Sequence, residues 1–202
     1  MALGAGSVTP WQMLGGYAVF ANGGYRVQPY LIERVTDVDG RTLMRATNRT
    51  AGDESIRAID DRNAYIMHSL LNGVATHGTA ARATKALKRT DIGGKTGTTN
   101  DSHDAWFCGY AGNLVAITWM GYDTPKPLGS RETGGGLALP IWIDFMKTTL
   151  KDMPEYTRPM PETVVESHGE LFYRDPVNDA DFSDLMSSSE NETTELVKDQ
   201  IF

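Results

Sequence analysis

The stretch from residue 93 to residue 123, "GGKTGTTNDSHDAWFCGYAGNLVAITWMGYD", limits the fold more than any other part of the chain. It is dominated by glycine, β-branched and aromatic residues, a poor mixture for a helix and a good one for strands and turns. Turn residues stand at Asn100-Asp101 and again at Gly112-Asn113. The stretch therefore reads as three antiparallel strands in a meander, the first of them carrying Lys95. Amphipathic segments lie on both sides, so the fold class expected is α+β, an antiparallel sheet with packed helices.

The flanking helices carry their own punctuation. In "TPWQMLGGYAVFANGG", Thr9 caps, Pro10 suits the first turn, Gln12 completes a capping box, and Gly23-Gly24 end the helix. Met13, Leu14, Tyr17, Ala18 and Ala21 form its apolar stripe. "YLIERVTDVDGRTLMRA" reads as a hairpin turning at Asp39-Gly40. A second helix starts at Asp60 or Asp61, stops at Gly78 and buries Ile66, Met67, Leu70, Leu71 and Val74. The basic stretch "RATKALKR" leads into the strand of Lys95. A last helix, "LALPIWIDFMKTTLKD", faces the core with Ile141, Trp142, Phe145, Met146 and Thr149. Trp11 and Trp119 are also expected in the core.

Lys95 stands on bare backbone, followed by Thr96, Thr98 and Thr99. A phosphate loop is the first reading to test, but the first glycine that motif needs would fall at Arg89, and "TGTTNDS" opens no helix. Two readings remain. In an edge strand Thr96 and Thr98 share one face, and the lysine stem can curl its charge toward a carboxylate bound there. The alternative is a Thr-rich surface strand.

Charge excludes one class of partner. Residues 162–202 hold 11 acidic and two basic residues, so this end accounts for −9 against −7 for the 202-residue chain. It reads as a solvated, disordered tail behind the Pro-rich linker "MPEYTRPMPE" and argues against nucleic acid. Residues 1–152 form the folded part in this reading and residues 153–202 the linker and tail. Cys108 is the only cysteine, so neither an intrachain disulfide nor a multi-cysteine zinc site is available. No signal peptide opens the chain, and no apolar run approaches the ~20 residues of a membrane helix.

The same 93–123 stretch carries a family resemblance. "GKTGTTN", "DAWFCGY" and "WMGYD" in this order resemble the end of the transpeptidase domain of class A, bifunctional penicillin-binding proteins. "LGAGSVTPWQMLGGYAVFANGGYRVQPYLIERV" and "ETGGGLALPIWIDFM" are similar to the segments that flank it in that family. The resemblance spans residues 2 to about 152 and implies part of a penicillin-binding, serine β-lactamase-like fold. Such enzymes cross-link peptidoglycan: a serine attacks the D-Ala-D-Ala end of a stem peptide, and the acyl group passes to an amine. The resemblance implies catalytic roles for Lys95, as the positive charge of the site, and for Thr98, whose N–H is an oxyanion donor. Thr96 and Thr98 would bind the substrate carboxylate, with Gly97 between them on the same binding strand. Implied partners are peptidoglycan stem peptides and β-lactams. No cofactor and no metal is implied.

One departure qualifies this. The family has three motifs, S-x-x-K, S-x-N and K-T-G. No serine here has a lysine three places on, and Ser189-Glu190-Asn191 fits S-x-N only within the acidic tail. The chain is therefore expected to be the C-terminal part of a longer enzyme. The upstream half would supply the nucleophile and the anchor and place the parent enzyme on the periplasmic side of the bacterial inner membrane. The alternative is a non-catalytic module with a weak carboxylate site. Among single residues, Thr99 and Asn100 are expected to shape the turn, Asp104 and Trp106 to be structural, with Trp106 lining the cleft rim, and His103 to lie in a solvated turn. His68 is expected to fill the core, His77 to cap its helix and Cys108 to be a small buried hydrophobe.

Overall fold

The computed structural model describes residues 6–174. The chain divides into two compact units, Met1–Pro159 and Met160–Phe202. In chain order the first holds α1 (Pro10–Ala21), β1 (Arg34–Thr36), β2 (Thr42–Arg45), α2 (Asp61–Thr76), α3 (Ala81–Leu87), β3 (Gly93–Thr98), β4 (Ala105–Ala111), β5 (Leu114–Met120), a π-helical turn (Gly134–Ala138) and α4 (Leu139–Thr149). The described part of the second holds β6 (Val164–Ser167) and β7 (Glu170–Tyr173).

The meander forms as expected, in the order β3-β4-β5, antiparallel throughout. Its register sets Lys95 opposite Cys108, Thr96 opposite Phe107 and Thr98 opposite Ala105. The capping box of Thr9 and Gln12 is present, and Asp60 caps α2 through the Arg62 and Asn63 amides. The Asp39-Gly40 turn closes β1 on β2, with Gly40 at a φ of 81°. The core lies between the meander and α4. Trp142 is fully buried there, with Phe107 edge-on at 4.9 Å, and its indole N–H donates to the Ala116 carbonyl at 3.1 Å. On β3, a Cβ added to Gly93 would stand 2.5 Å from the Tyr110 ring, so the glycine makes room for that aromatic.

Several core assignments need correction. α4 buries Leu139, Trp142, Ile143 and Met146, while Ile141 and Phe145 are 45% and 53% exposed and Thr149 is exposed as well. Two adjacent apolar rows run along this helix, and only the row meeting Phe107 is covered. Leu70 is exposed for the same reason on α2, where Ala64, Leu71 and Ala75 make the buried line. Trp11 sits in the first turn of α1, beyond the packed face, and is 44% exposed. The basic stretch before β3 contains a helix, α3, which ends at Lys88 in the left-handed region (φ 53°). No glycine marks that stop in the sequence.

The Arg89–Asp91 pair after α3 is a buried ion pair at 2.7 Å that the sequence reading missed. Within the stretch read as linker and tail, residues 164–173 form the β6-β7 hairpin, which turns at His168-Gly169, both at positive φ. The acidic end beyond residue 174, including Ser189-Glu190-Asn191, lies outside the described residues.

Candidate functional site

Lys95, Thr96, Gly97 and Thr98 occupy the end of β3 that runs past the buried glycines. Gly93 and Gly94 are buried, whereas Lys95 and Thr98 are exposed. Among the described residues β3 pairs only with β4, so its other edge carries no strand. The Lys95 ammonium folds back along that edge, donating to the Thr96 carbonyl at 2.9 Å and to Thr96 Oγ1 at 3.3 Å. The Thr96 carbonyl therefore leaves by the free edge. In an antiparallel strand a residue's N–H and C=O leave on one side, and the side alternates along the chain. The N–H of Thr98 thus leaves by the same free edge. The next residue agrees, because the Thr99 N–H turns inward to the Asp104 carbonyl at 3.1 Å.

Two other segments reach this strand. The loop between α2 and α3 brings Thr79, whose hydroxyl lies 2.8 Å from the Thr96 hydroxyl. The start of the π-helical turn brings Gly134, whose N–H donates to Thr98 Oγ1 at 3.0 Å. A Cβ on Gly134 would stand 2.3 Å from the Trp106 carbonyl oxygen and 2.5 Å from that of Gly97, so only glycine can lie this close across β3 and β4. Thr133 fastens the turn by accepting from the Gly136 N–H at 3.1 Å. Neither Thr79 nor Gly134 was singled out from the sequence. The "TGGG" run before the last helix was the available signal for Gly134, since glycines mark close backbone approach.

The turn after β3 is held as expected. Thr99 Oγ1 accepts from the Asp104 N–H at 2.8 Å, and Asp104 Oδ1 accepts from the Trp119 indole at 2.8 Å. Trp106 stacks obliquely on Trp119 at 6.0 Å. Cys108 lies behind Lys95 and is 2% exposed; burial pushes its thiol up to about 12, so it is no nucleophile at neutral pH. His77 caps α2. His68 packs on Tyr110 with its Nδ1 3.0 Å from the phenol, and burial, helped by the charge of Arg158, keeps its imidazole below the usual value. Among the described residues no three His, Cys, Asp or Glu side chains gather in a metal-binding group, and no helix is long and apolar enough to cross a membrane.

The site thus offers the Lys95 ammonium, the Thr96 hydroxyl and the outward Thr98 N–H at the free edge of β3, with the Thr98 hydroxyl two residues on, where Gly134 crosses the strand. Every one of these is able to donate, which suits an acceptor-only group such as a carboxylate or an oxyanion.

The chain is similar to proteins of one known family. Residues 1–147 match the family described as "Penicillin binding protein transpeptidase domain". The chain is 46% identical over 175 residues to penicillin-binding protein 1A of Neisseria gonorrhoeae, covering 87% of this chain and 22% of that protein. It is 41% identical to penicillin-binding protein 1A of Pseudomonas aeruginosa, covering 82% and 25%. The crystal structure of penicillin-binding protein 1A from Haemophilus influenzae superposes with a TM-score of 0.76 at 35% identity, over 85% of this chain and 32% of that one. The chain therefore spans about a quarter or less of the curated relatives' length.

Proposed function

The chain belongs to the penicillin-binding protein transpeptidase family, and on that premise we propose that it supplies the carboxylate-binding and oxyanion-binding strand of a serine-type D,D-transpeptidase that cross-links peptidoglycan. The observation that carries this is the fold-back of Lys95 onto the carbonyl and hydroxyl of Thr96 at the free edge of β3.

In this reading the stem peptide's terminal carboxylate lies along the edge and meets Thr96 and Thr98, with Lys95 supplying the positive field. Gly97 keeps the strand bare between them. The N–H of Thr98 donates to the oxygen of the attacked carbonyl as it becomes an oxyanion. A β-lactam brings the same two features, a carboxylate and a carbonyl, to the same edge. The nucleophilic serine and its base come from elsewhere, since the chain has no S-x-x-K. The complete enzyme works on the periplasmic side of the bacterial inner membrane, where its peptidoglycan substrate lies.

The test is Lys95→Ala in a full-length protein in which this chain replaces the matching segment of the gonococcal relative. A charge-assisted hydrogen bond contributes about 1.5–3 kcal/mol, so acylation by a fluorescent penicillin should slow roughly ten- to a hundredfold with little change in melting temperature. An unchanged acylation rate would remove Lys95 from the site. A slowed rate with a large fall in melting temperature would assign it to the fold.

A further inference from the structure

Resting on the carboxylate-binding reading above, we infer that Thr79 is a positioning group that, together with Lys95, fixes the Thr96 hydroxyl as an outward proton donor, so that this position of the site selects a carboxylate oxygen over a carboxamide NH₂. The inference comes from counting protons. A threonine hydroxyl has one O–H and two lone pairs. Lys95 has no acceptor, so its contact of 3.3 Å with Thr96 Oγ1 uses one lone pair there. Thr79 Oγ1, at 2.8 Å, fills the second lone pair when it donates. The only capacity then left on Thr96 is its own proton, directed away from both. Thr98 is held by one bond, the Gly134 N–H donating to its Oγ1 at 3.0 Å, which leaves it a second lone pair as well as its own proton.

The backbone at Thr79 is fixed well enough for this task. The Gly78 and Ala80 amides both donate to the Val74 carbonyl, at 3.1 Å each. A Cβ on Gly78 would stand 2.9 Å from the Val74 backbone, so the loop lies flat on the end of α2. Ala80 is fully buried and pins the other side of Thr79.

Unanchored hydroxyls rotate and serve either a donor or an acceptor. A carboxamide presents both an oxygen and an NH₂, and freely rotating threonines would accommodate it. A Thr96 hydroxyl whose two lone pairs are occupied cannot accept from that NH₂, whereas a carboxylate asks only for donors. Removing the Thr79 hydroxyl frees a lone pair on Thr96 and restores the rotation. The variant should therefore lose affinity for the acid and lose discrimination against the amide together.

The experiment uses the 202-residue chain and two probes, N-acetyl-D-alanyl-D-alanine and its C-terminal amide. Binding is followed by the amide resonances of Gly97, Thr98 and Gly134. The wild-type chain should favour the acid. Thr79→Val should bind the acid about three- to tenfold more weakly, the effect of one neutral hydrogen bond, with the acid-to-amide ratio reduced. Thr79→Ser, which keeps the hydroxyl, should restore the wild-type ratio. Core resonances of Ile92 and Trp142 report the fold, and if Thr79→Val unfolds, Thr79→Ala carries the same expectation. An unchanged ratio in a folded Thr79 variant would overturn the inference while leaving the carboxylate site standing. Failure of the acid to move any of the three resonances in the wild-type chain would overturn the carboxylate site and this inference with it.

Discussion

Replacing Asp91 by alanine should destabilise the first unit by about 3–5 kcal/mol, the cost of leaving a buried charge without its partner. The pair is well enclosed, the Asp91 side chain being 3% exposed and that of Arg89 9%. Asp91 Oδ1 accepts from Arg89 Nε at 2.9 Å. Its Oδ2 accepts from Arg89 Nη2 at 2.7 Å, from the Gly112 N–H at 2.9 Å and from the Tyr156 N–H at 3.1 Å. Arg89 also donates to the carbonyls of Met153 and Pro154, at 2.6 and 3.0 Å. One carboxylate therefore ties the end of α3, the β4-β5 turn and the segment after α4 into a single knot. Without it, a guanidinium keeps two carbonyls but loses its hydrogen-bonded counter-charge, with only the more distant charge of Glu155 remaining, and two backbone amides lose their acceptor. For a domain of this size each kcal/mol moves the melting temperature by about 2–4 °C, so the fall should be roughly 6–20 °C in thermal unfolding followed by circular dichroism. Burial raises the Asp91 carboxyl, but the bonds from Arg89, Tyr156 and Gly112 outweigh it and leave the group below its ordinary value. A carboxyl lowered on folding contributes stability above its unfolded value, about 3.9, and that contribution is lost as pH falls through the folded value. The gap between wild type and Asp91→Ala should therefore close below about pH 4. The double variant Arg89→Met/Asp91→Leu should be less impaired than Asp91→Ala alone, because it strands no charge. A fall under 2 °C for Asp91→Ala, or a gap independent of pH, would refute the argument.

Other expectations are briefer. Gly134→Ala should push the π-helical turn off β3 and β4, whose carbonyls stand 2.3 and 2.5 Å from the new Cβ; a loss of about 1–3 kcal/mol in urea unfolding is expected, with a shifted Thr98 amide resonance. Trp142→Ala should cost about 3–5 kcal/mol, because the ring is wholly buried against Phe107. Cys108 should resist a thiol reagent at pH 8 until the chain unfolds, given its burial and raised thiol; fast labelling of the native chain would place it elsewhere. The 202-residue chain alone should form no covalent adduct with a fluorescent penicillin, and a labelled band surviving denaturation would show that one of its own serines is a nucleophile.

What the sequence disclosed follows from the range of the forces involved. The meander was legible because its signals are local: β-branched and aromatic strands, with Asn100-Asp101 and Gly112-Asn113 between them. The caps at Thr9 and Asp60 lie within three residues of the amides they serve. Lys95, Thr96, Gly97 and Thr98 were legible as a group because four consecutive positions carry the resemblance. Thr79 and Gly134 were not, since they reach β3 from 17 and 36 residues away, and no periodicity records such a meeting. The buried face of α4 was ambiguous because Ile141 and Phe145 are as apolar as Trp142 and Met146. What covers a helix is decided by its neighbours, and a hydrophobic pattern names only the candidates. The Arg89–Asp91 pair went unnoticed because its enclosure comes from residues 112 and 153–156.

The room that Gly93 leaves for Tyr110 also bears on the order in which substitutions can accumulate. The three atoms nearest to an added Cβ there all belong to the Tyr110 side chain, at 2.5, 2.6 and 2.8 Å, so the obstacle is one ring and not the backbone. Enlarging position 93 first meets that ring head-on, in a strand pair with no slack. Shrinking position 110 first leaves only a void and a lost contact with His68, which a second step to alanine at 93 would partly fill. The two changes are thus compatible as a pair but passable in one direction only, and lineages carrying a larger residue at 93 should be those in which 110 had already become small.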